Sequence, residues 1–376
     1  MSQQAAFRAV IAGGGVAALE AALTLRYLAG ERARITLLTS AEEFVYRAQA
    51  VREPFAGPVA RRHPLARLVD DLNLEHHRAG LASVEIDART VTTDTGDLLE
   101  FDALLLAVGA RQQPRFRHAL NLDDRNLDEQ LHGLIQDVEA GISRRLAFVI
   151  PSEPSWPLPI YELALQTARR AYEMGVDVHV TIITPEPAPL AVFGAAASTA
   201  VVKLLADSRV TTLTRSSAAV TDDGQLLVHP ADRVLRVDRI VALPELYGPL
   251  LKGVPGADDR GFLPVDGHCA VRGVERVFAA GDLTSFPIKH GGLAAQQAQA
   301  AAEAIAVLAG AQIDAQPLRP TIQGLLIGGP RPLYLRARLT DGVATDSEAS
   351  EEPLWSDARK LAAPRLAPYL DAIDQG

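Results

Sequence analysis

The sequence predicts an α/β fold built from strand–helix–strand units, and three stretches of the chain lead to that prediction. At 7–23, FRAVIAGGGVAALEAAL, an apolar strand enters a glycine turn and an alanine-rich helix leaves it. A strand, a helix and a strand follow each other again at 144–184. A strand, a Gly-Asp turn and a second alanine-rich helix follow at 276–308. Strands that alternate with helices favour parallel sheets with helices packed on them.

The composition limits the kind of protein that the chain can be. Its 376 residues suffice for two or three domains of about 150 residues each. A formal net charge of −9 argues against nucleic acid as a partner, because a phosphate backbone needs a basic face. Cys269 is the only cysteine, which excludes an intramolecular disulfide and a C-x-x-C dithiol. No apolar run approaches the ~18 residues of a membrane span, and no leader pattern opens the chain, so we expect a cytoplasmic protein.

The N-terminal turn has the spacing of a dinucleotide site. Gly13, Gly15 and Ala18 occupy the G-x-G-x-x-G/A positions between a strand and a helix. The first glycine permits the tight turn, the second lets a pyrophosphate approach the backbone, and the small third residue lets helix and strand pack closely. The helix N-terminus then presents N–H groups and positive dipole charge to the phosphates. The alternative is a glycine-rich turn without a ligand.

The second strand, at 34–40, ends without the usual carboxylate. An Asp or Glu commonly stands there and binds the ribose, whereas this chain has Thr39 and Ser40. A hydroxyl group can bind the ribose too, but more weakly than a carboxylate. Arg47 follows in a predicted loop at 42–54, beyond the edge of the sheet where ligands gather. It is a cofactor-binding candidate, and a solvated surface arginine is the alternative.

A predicted three-stranded meander precedes the next buried strand. Strands at 81–91 and 99–101 surround a turn at 94–97. The apolar strand at 101–109, FDALLLAVG, ends in Val108 and Gly109, where small residues let the chain pass close to a flat or phosphorylated group. An ordinary strand-to-loop glycine is the alternative.

The second unit has the layout of a nucleotide-binding domain but lacks its phosphate cradle. A strand at 144–150, a helix at 161–174 and a strand at 178–184 form the unit. The loop at 151–157, PSEPSWP, contains no glycine, and its prolines remove N–H donors that phosphates would need. Trp156 and Glu153 would crowd and repel a pyrophosphate.

Further strands and a third helix complete the pattern. Short strands are predicted within 204–241 around a turn at 222–224, and again at 261–265. The strand at 276–280 leads to Gly281 and Asp282, and a helix covers 293–308.

The tail, at 318–376, is predicted to contain three segments. It comprises a hairpin at 325–339, an acidic mobile loop at 346–352, and a helical stretch at 354–370 that Pro364 interrupts.

Together, the N-terminal glycine turn, FDALLLAVG and VFAAGD resemble the two-dinucleotide-binding-domain flavoproteins of the pyridine nucleotide–disulfide oxidoreductase superfamily. The segment KHGGLAAQQAQAAAEAIA looks most like the sulfide:quinone reductase and type II NADH dehydrogenase branch, whose pattern is Lys-Gln-Gly-Gly-Leu-Ala-x-Gln-Gln-Ala, with His290 in place of the first Gln. The resemblance covers roughly 7–370. It implies two Rossmann-like (FAD- and NAD(P)-binding) domains with a three-layer ββα arrangement, plus a C-terminal extension. The implied FAD-binding domain has two parts, at 1–115 and 251–317. A second Rossmann unit lies between them at 116–250, and the extension covers 318–376.

The resemblance also implies FAD in an extended pose. The residues that would bind it, together with Arg47, are Gly13, Gly15, Val16, Ala17, Thr39, Ser40, Leu81, Val108, Gly109, Gly281, Asp282 and Lys289. Among them, Asp282 would bind the ribityl chain and Leu81 would present its backbone to the adenine. Lys289 would lie near the pyrimidine edge of the flavin, where a cation stabilises the anionic reduced ring. A turn-forming aspartate and a solvated lysine are the alternatives for Asp282 and Lys289.

Glu162 matches the glutamate that this superfamily places beside the isoalloxazine, where it would orient a donor or relay a proton. The alternative is a helix-surface glutamate in the first turn, which the helix dipole favours. We therefore treat Glu162 and Lys289 as the catalytic candidates.

Departures from the family pattern narrow the function. Sulfide chemistry of the cysteine type is disfavoured because Cys269 stands alone and is interpreted as structural. The final helix resembles the membrane foot of quinone-reducing relatives, but its few apolar residues favour packing against the body over peripheral membrane contact. The histidines show no spacing of metal ligands, so no metal is expected.

The leading interpretation is an FAD-dependent oxidoreductase that passes electrons from an unidentified small-molecule substrate to a quinone-like or other acceptor. One alternative is an NAD(P)H dehydrogenase with an atypical nucleotide site, for which Glu186 would contact a ribose. Another is a catalytically silent flavin-binding partner protein. A homodimer is left open.

Overall fold

A computed structural model describes residues 6–47, 50–55, 57, 60–116, 118–122, 127–151, 155–221, 224–355 and 360–375. Residues 152–154 of the predicted proline-rich loop and residues 222 and 223 of the predicted turn lie outside the described residues.

The strands are numbered in chain order as β1 (Phe7–Ala12), β2 (Ala33–Leu38), β3 (Glu43–Tyr46), β4 (Arg61–Pro64), β5 (Glu75–His77), β6 (Leu81–Glu85), β7 (Thr90–Thr93), β8 (Leu98–Glu100), β9 (Ala103–Leu106), β10 (Arg111–Gln113), β11 (Leu120–Asn121), β12 (Arg145–Val149), β13 (His179–Ile183), β14 (Val210–Leu213), β15 (Ser217–Val220), β16 (Leu226–His229), β17 (Arg233–Leu235), β18 (Arg239–Ala242), β19 (Glu245–Tyr247), β20 (Val277–Ala279), β21 (Thr321–Leu326), β22 (Leu333–Thr340) and β23 (Val343–Ser350). The helices are α1 (Val16–Ala29), α2 (Leu65–Asp71), α3 (Leu127–Glu139), α4 (Leu158–Glu173), α5 (Gly194–Asp207), α6 (Gly291–Leu308) and α7 (Leu366–Gln375).

The first parallel sheet has the order β20-β9-β1-β2-β5, so its edge strand comes from a distant part of the chain. Successive residues of a strand point to opposite faces. Ala9 and Ile11 of β1 lie in the core with α1 and α6, whereas Val10 and Ala12 lie in the core with the β6–β8 meander. The result is the three-layer arrangement that the resemblance predicted, with helices on one face and a small antiparallel sheet on the other.

The second parallel sheet repeats the same three layers in the order β11-β18-β12-β13-β14. Leu146 and Phe148 of β12 face the core formed with α3, α4 and α5, and Ala147 and Val149 face the β15–β17 meander. The predicted α/β fold class with two units is therefore confirmed. Helix α3 was not predicted.

Three predicted segments were wrong in detail. The predicted loop at 42–54 contains β3, which pairs with β4 in an antiparallel register that joins Phe44 to His63. The predicted strands at 204–241 begin late, because α5 continues to Asp207. Residues 261–265 form only isolated bridges, such as the one between Leu263 and Thr284. In each case long-range packing decided the conformation, and local pattern alone does not report it.

The acidic segment at 346–352 is not a mobile loop, because most of it belongs to β23. Strand β23 pairs with β22, and the predicted hairpin of β21 and β22 is confirmed. The acidic residues face arginines across the strands: Arg336 binds Glu348 at 2.7 Å, and Arg338 lies 3.4 Å from Asp346. Opposite charges on facing positions stabilise a sheet, whereas the sequence pattern looked like a solvated charge run.

The end of the chain packs against the first unit. Helix α7 begins only at Leu366, two residues after Pro364. Leu361, Leu366 and Leu370 are buried in the same core as α1 and α6, which confirms the predicted packing against the body. Among the described residues, no helix combines the length and the apolar character that crossing a membrane requires.

Candidate functional site

The first glycine turn joins β1 to α1. Gly13 has φ 137°, and a Cβ atom there would lie 2.2 Å from the carbonyl oxygen of Ala107, so only glycine fits. Its N–H donates a hydrogen bond to Leu38 O at 2.9 Å. Gly15 has φ −93°, and a Cβ atom added to it would meet nothing within 4 Å. The turn therefore has one position that demands glycine and one that faces open space.

The second glycine turn lies directly against the first. Gly281 has φ 79°, and a Cβ atom there would be 3.3 Å from the Cβ of Ala17 in α1. The N–H of Gly281 donates to Gln297 Oε1 at 2.7 Å, and the hydroxyl of Thr284 donates to Gly281 O at 3.0 Å. Sequence reasoning missed Gln297, although a buried glutamine within an alanine-rich helix was a signal that could have found it.

The N-termini of α1 and α6 meet at these turns. A Cβ atom added to Gly291, the first residue of α6, would lie 4.0 Å from Val16 Cγ2. Among the described residues, neither helix has a side-chain N-cap or an acidic residue in its first turn. Free N–H groups and two positive dipole ends therefore converge, an arrangement that suits a ligand with phosphates or with developing negative charge.

Two further candidates border the first turn. Val108 is half-buried, and its nitrogen is 3.3 Å from the Cβ position of Gly13. Gly109 has φ 74° and nothing within 4 Å of a Cβ position, so it also borders open space.

The candidates for the adenosine end are spread over two strand ends. Thr39 is buried, and its hydroxyl accepts a hydrogen bond from Ala41 N at 3.2 Å. Ser40 is exposed just beyond β2. Leu81 is half-buried at the start of β6, where it pairs with Thr93 of the meander. Their contact with a nucleotide stays a prediction.

A pocket of about 290 Å³ opens beside the two helix N-termini. Its wall includes Val16 and Gly291 at those N-termini and Arg47, which is exposed after β3. Trp156 and His290 also line the pocket, and their rings contact each other with centroids 4.2 Å apart and planes tilted by 32°. The site thus combines open glycine backbone, helix N-termini and a mainly apolar cavity.

Glu162 and Lys360 form a buried ion pair in the wall of this pocket. Lys360 Nζ lies 2.5 Å from Glu162 Oε2, and the two side chains are 7% and 1% exposed. Burial raises the pKa of Glu162 and lowers that of Lys360, and the attraction between the two opposes both changes. Sequence reasoning missed Lys360, because nothing local marks a residue that pairs 198 positions away.

One oxygen of this pair has no partner within the described structure. Glu162 Oε1 is buried and makes no hydrogen bond there. A buried polar atom without a hydrogen bond destabilises the folded protein by about 1–3 kcal/mol. Binding of a ligand that donates a hydrogen bond to this oxygen is therefore favoured. His290 Nδ1 is likewise buried without a partner in the described part of the chain. Burial lowers the pKa of His290 to about 4, so the ring is neutral at pH 7.

Lys289 lies inside the protein next to the second glycine turn. Its ammonium donates a hydrogen bond to Thr284 O and lies 3.8 Å from the centroid of the Phe262 ring. Burial lowers the pKa of Lys289 to about 8, although the half-buried Asp282 and the exposed Asp258 partly oppose that change. The contacts predicted for Asp282 and Lys289 with a flavin stay predictions.

Glu186 is engaged within the second unit. Its Oε2 accepts hydrogen bonds from the hydroxyl of Tyr161 at 2.7 Å and from that of Thr184 at 2.9 Å. Tyr161 is fully buried and Glu186 is 6% exposed. Glu186 thus links α4 to the end of β13, and its contact with a ribose stays a prediction.

The cysteine of the chain does not line this pocket. Cys269 is fully buried, and burial raises the pKa of its thiol to about 12, which agrees with a structural role. The described part of the chain contains no cluster of three or more His, Cys, Asp or Glu side chains that would hold a metal ion.

Comparison with known proteins places these features in a family. A model of the pyridine nucleotide-disulphide oxidoreductase family matches residues 7–139 and 162–304. An NADH dehydrogenase-like protein of Mycobacterium tuberculosis is 26% identical over 294 residues, which are 74% of this chain and 73% of that protein. The sulfide-quinone reductase of Aquifex aeolicus is 28% identical over 191 residues, or 47% of this chain and 43% of that enzyme.

Solved structures share the fold. The sulfide:quinone oxidoreductase of the hyperthermophilic bacterium Aquifex aeolicus superposes with a TM-score of 0.82 at 19% identity, over 92% of this chain and 87% of that one. A ferredoxin reductase from Rhodopseudomonas palustris superposes with a TM-score of 0.65 at 17% identity, over 88% of this chain and 82% of that one. Members of the matched family typically depend on FAD. The chain belongs to the pyridine nucleotide-disulphide oxidoreductase family and is an oxidoreductase.

Proposed function

We propose that the protein is an FAD-dependent oxidoreductase that passes electrons from a small-molecule donor, through the flavin, to a quinone-like acceptor. One observation carries the proposal. Two glycine turns from opposite ends of the chain meet, and the helix N-termini behind them border a 290 Å³ pocket that contains the Glu162–Lys360 pair.

The first turn suits the diphosphate of FAD. Space outside Gly15 is open, and the backbone of Val16 and Ala17 presents N–H groups to it at an uncapped helix start. Gly13 keeps the turn tight. Asp282 follows Gly281 on the adjoining turn, and its proposed role is to accept hydrogen bonds from the hydroxyl groups of a ribityl chain. When bound, FAD supplies a ring that takes up and releases two electrons.

Two positive groups would stabilise charge on that ring. The N-terminus of α6 carries positive dipole charge. Gly291 lines the pocket there, and Gly292 is the next residue. The Lys289 ammonium is the second positive group, and the carboxylate of Asp282 in the second glycine turn attracts it. Preorganised positive charge beside a developing anion lowers the barrier to its formation.

The ion pair in the pocket suits an oxygen that alternates between carbonyl and hydroxyl. Lys360 can donate a hydrogen bond to a carbonyl oxygen, and Glu162 Oε1 can accept one from a hydroxyl group. A quinone and its hydroquinone present these two forms of one oxygen. Trp156 and His290 contribute aromatic rings to the lining of the pocket, and aromatic contacts suit a planar ring of the same substrate class.

The test begins with the absorption spectrum of the purified protein, in which we expect bound flavin. Photoreduced enzyme is then mixed anaerobically with menadione. We expect rapid reoxidation in the wild type, and a rate about 100- to 10,000-fold lower in E162Q and K360M, the usual cost of losing a positioned proton-transfer group. Glu351→Gln is a matched exposed control. A colourless protein that takes up no FAD overturns the proposal.

An NAD(P)H dehydrogenase is the second candidate. The similarity to an NADH dehydrogenase-like protein favours it, as does the second parallel sheet. The engagement of Glu186 by Tyr161 and the prolines before α4 count against it. Stopped-flow mixing with NADH distinguishes the two, since fast and saturable bleaching of the flavin would establish the dehydrogenase.

A silent flavin-binding partner protein is disfavoured because the pocket is open. A reduced flavin that no quinone, ferricyanide or NAD(P)⁺ reoxidises would support that alternative.

A further inference from the structure

The described end of the chain, residues 360–375, lies across the candidate site, and we name it the C-terminal strap. Leu361 packs against the start of α6 so closely that a Cβ atom on Gly291 would lie 2.9 Å from Leu361 Cδ1. The carbonyl oxygen of Ala362 would be 3.4 Å from a Cβ atom on Gly292. The strap begins at Lys360, whose ammonium pairs with Glu162, and ends in α7. It therefore joins the second unit to both helices of the first.

A carboxylate in α1 holds this strap. Glu20 is fully buried in an alanine-rich helix, and its side chain accepts hydrogen bonds from the N–H of Arg365 at 3.0 Å and from that of Leu366 at 2.7 Å. These N–H groups stand at the start of α7, so Glu20 caps α7 from another helix. The Arg365 guanidinium also lies 3.8 Å above the ring of Tyr27, at the other end of α1.

From these contacts we infer that Glu20 is a positioning residue that holds Lys360 against Glu162 by fixing the start of α7. The Glu20 carboxylate has no other hydrogen-bond partner among the described residues than these two N–H groups. Burying a carboxylate is unfavourable, and burial raises the pKa of Glu20 even though the N–H groups oppose the change. Only four residues lie between Lys360 and Arg365, so release of the α7 start frees Lys360 to move into water.

The inference depends on the proposed function only for its effect on turnover, and the placement of Lys360 can be measured without substrate. The chain has four lysines, Lys203, Lys252, Lys289 and Lys360. Lys203 and Lys252 are exposed, whereas Lys289 and Lys360 are buried. Limited acetylation with acetic anhydride, followed by mass spectrometry of the four sites, therefore reports the exposure of Lys360 against three internal references.

We expect acetylation of Lys360 to be about tenfold faster in E20A than in the wild type, a change typical of losing a helix N-cap. E20Q keeps one acceptor oxygen, so we expect a smaller increase of about threefold. The rates at Lys203, Lys252 and Lys289 should stay within a factor of two. E31Q, at an exposed site after α1, and Y369F, which removes the exposed hydrogen bond from Tyr369 to Asp71, serve as controls that should leave Lys360 protected.

An unchanged rate at Lys360 in both Glu20 variants would overturn the inference. So would an equal increase at Lys289 in E20Q, because that result means general loosening rather than release of the strap. In the turnover assay, E20A should lower the rate of the wild type but not that of K360M, because both changes act on the same group. If the protein proves to lack FAD while Lys360 is still released, the positioning role stands and the proposed function fails.

Discussion

The second glycine of the N-terminal turn offers a direct test of where FAD binds. In G15V the new side chain would project into the space where a diphosphate is proposed to lie, since a Cβ atom there meets no protein atom within 4 Å. The φ of Gly15, −93°, is open to any residue, so we expect the fold to tolerate valine. The change therefore separates cofactor binding from stability.

The magnitude follows from the contacts that valine would displace. A hydrogen bond to a charged group contributes about 1.5–3 kcal/mol, so the loss of one such bond to the diphosphate weakens FAD binding about 10- to 150-fold. The stability of the apoprotein should change by no more than about 0.5 kcal/mol, as for a surface substitution. G13A should instead lower the stability of the apoprotein, because its Cβ would lie 2.2 Å from Ala107 O at a φ of 137°. We expect the free energy of unfolding to fall by about 3 kcal/mol or more.

The assay is a titration of the apoprotein with FAD, followed by quenching of flavin fluorescence, together with urea unfolding of the same samples. G133V is the matched control, since Gly133 is exposed in α3 and a Cβ atom there also meets nothing within 4 Å. An unchanged Kd in G15V, or an equal loss in G133V, would refute the placement of the diphosphate at this turn.

Three further predictions concern buried groups. K360M should lower the free energy of unfolding by about 3–5 kcal/mol because it leaves Glu162 buried without its counter-ion, and the double variant with E162Q should recover most of that loss in urea unfolding. The pKa of Lys289 is about 8 in the folded protein, and the reference value is 10.5. The unfolded chain therefore binds more protons between these values, so the free energy of unfolding should rise with pH from about 8 to 10. K289M should lack that rise, and a rise of the same size in K289M would contradict the reasoning. The Cys269 thiol is buried and its pKa is about 12, so Ellman's reagent should react with it more than about 100-fold more slowly in the native protein than in urea, and rapid native labelling would show that the site is open.

The glycine turns were predictable because their chemistry is local. Gly13 and Gly281 both take positive φ at the end of a buried strand, and a strand, a small-residue turn and an alanine-rich helix are all visible within about twenty residues. The continuous apolar run at 101–109 likewise predicted a buried strand, and all four residues of β9 are buried.

The misread segments share one physical cause. Strand β3 is specified by its pairing with β4, and β23 by arginines on β22, so neither has an apolar pattern of its own strong enough to identify it. Acidic residues on an exposed strand face look the same in sequence as those of a solvated loop.

The sequence by itself determined the α/β class, both glycine turns, the lack of glycine in the loop before α4, and the candidacy of Glu162, since each depends on residues close together along the chain. Only the tertiary structure decided that Lys360 pairs with Glu162, that Glu20 caps α7, and that Tyr161 engages Glu186. These contacts join buried polar groups that lie from 25 to 346 residues apart. Burial strongly favours such pairing, but the path of the chain through space decides the partner.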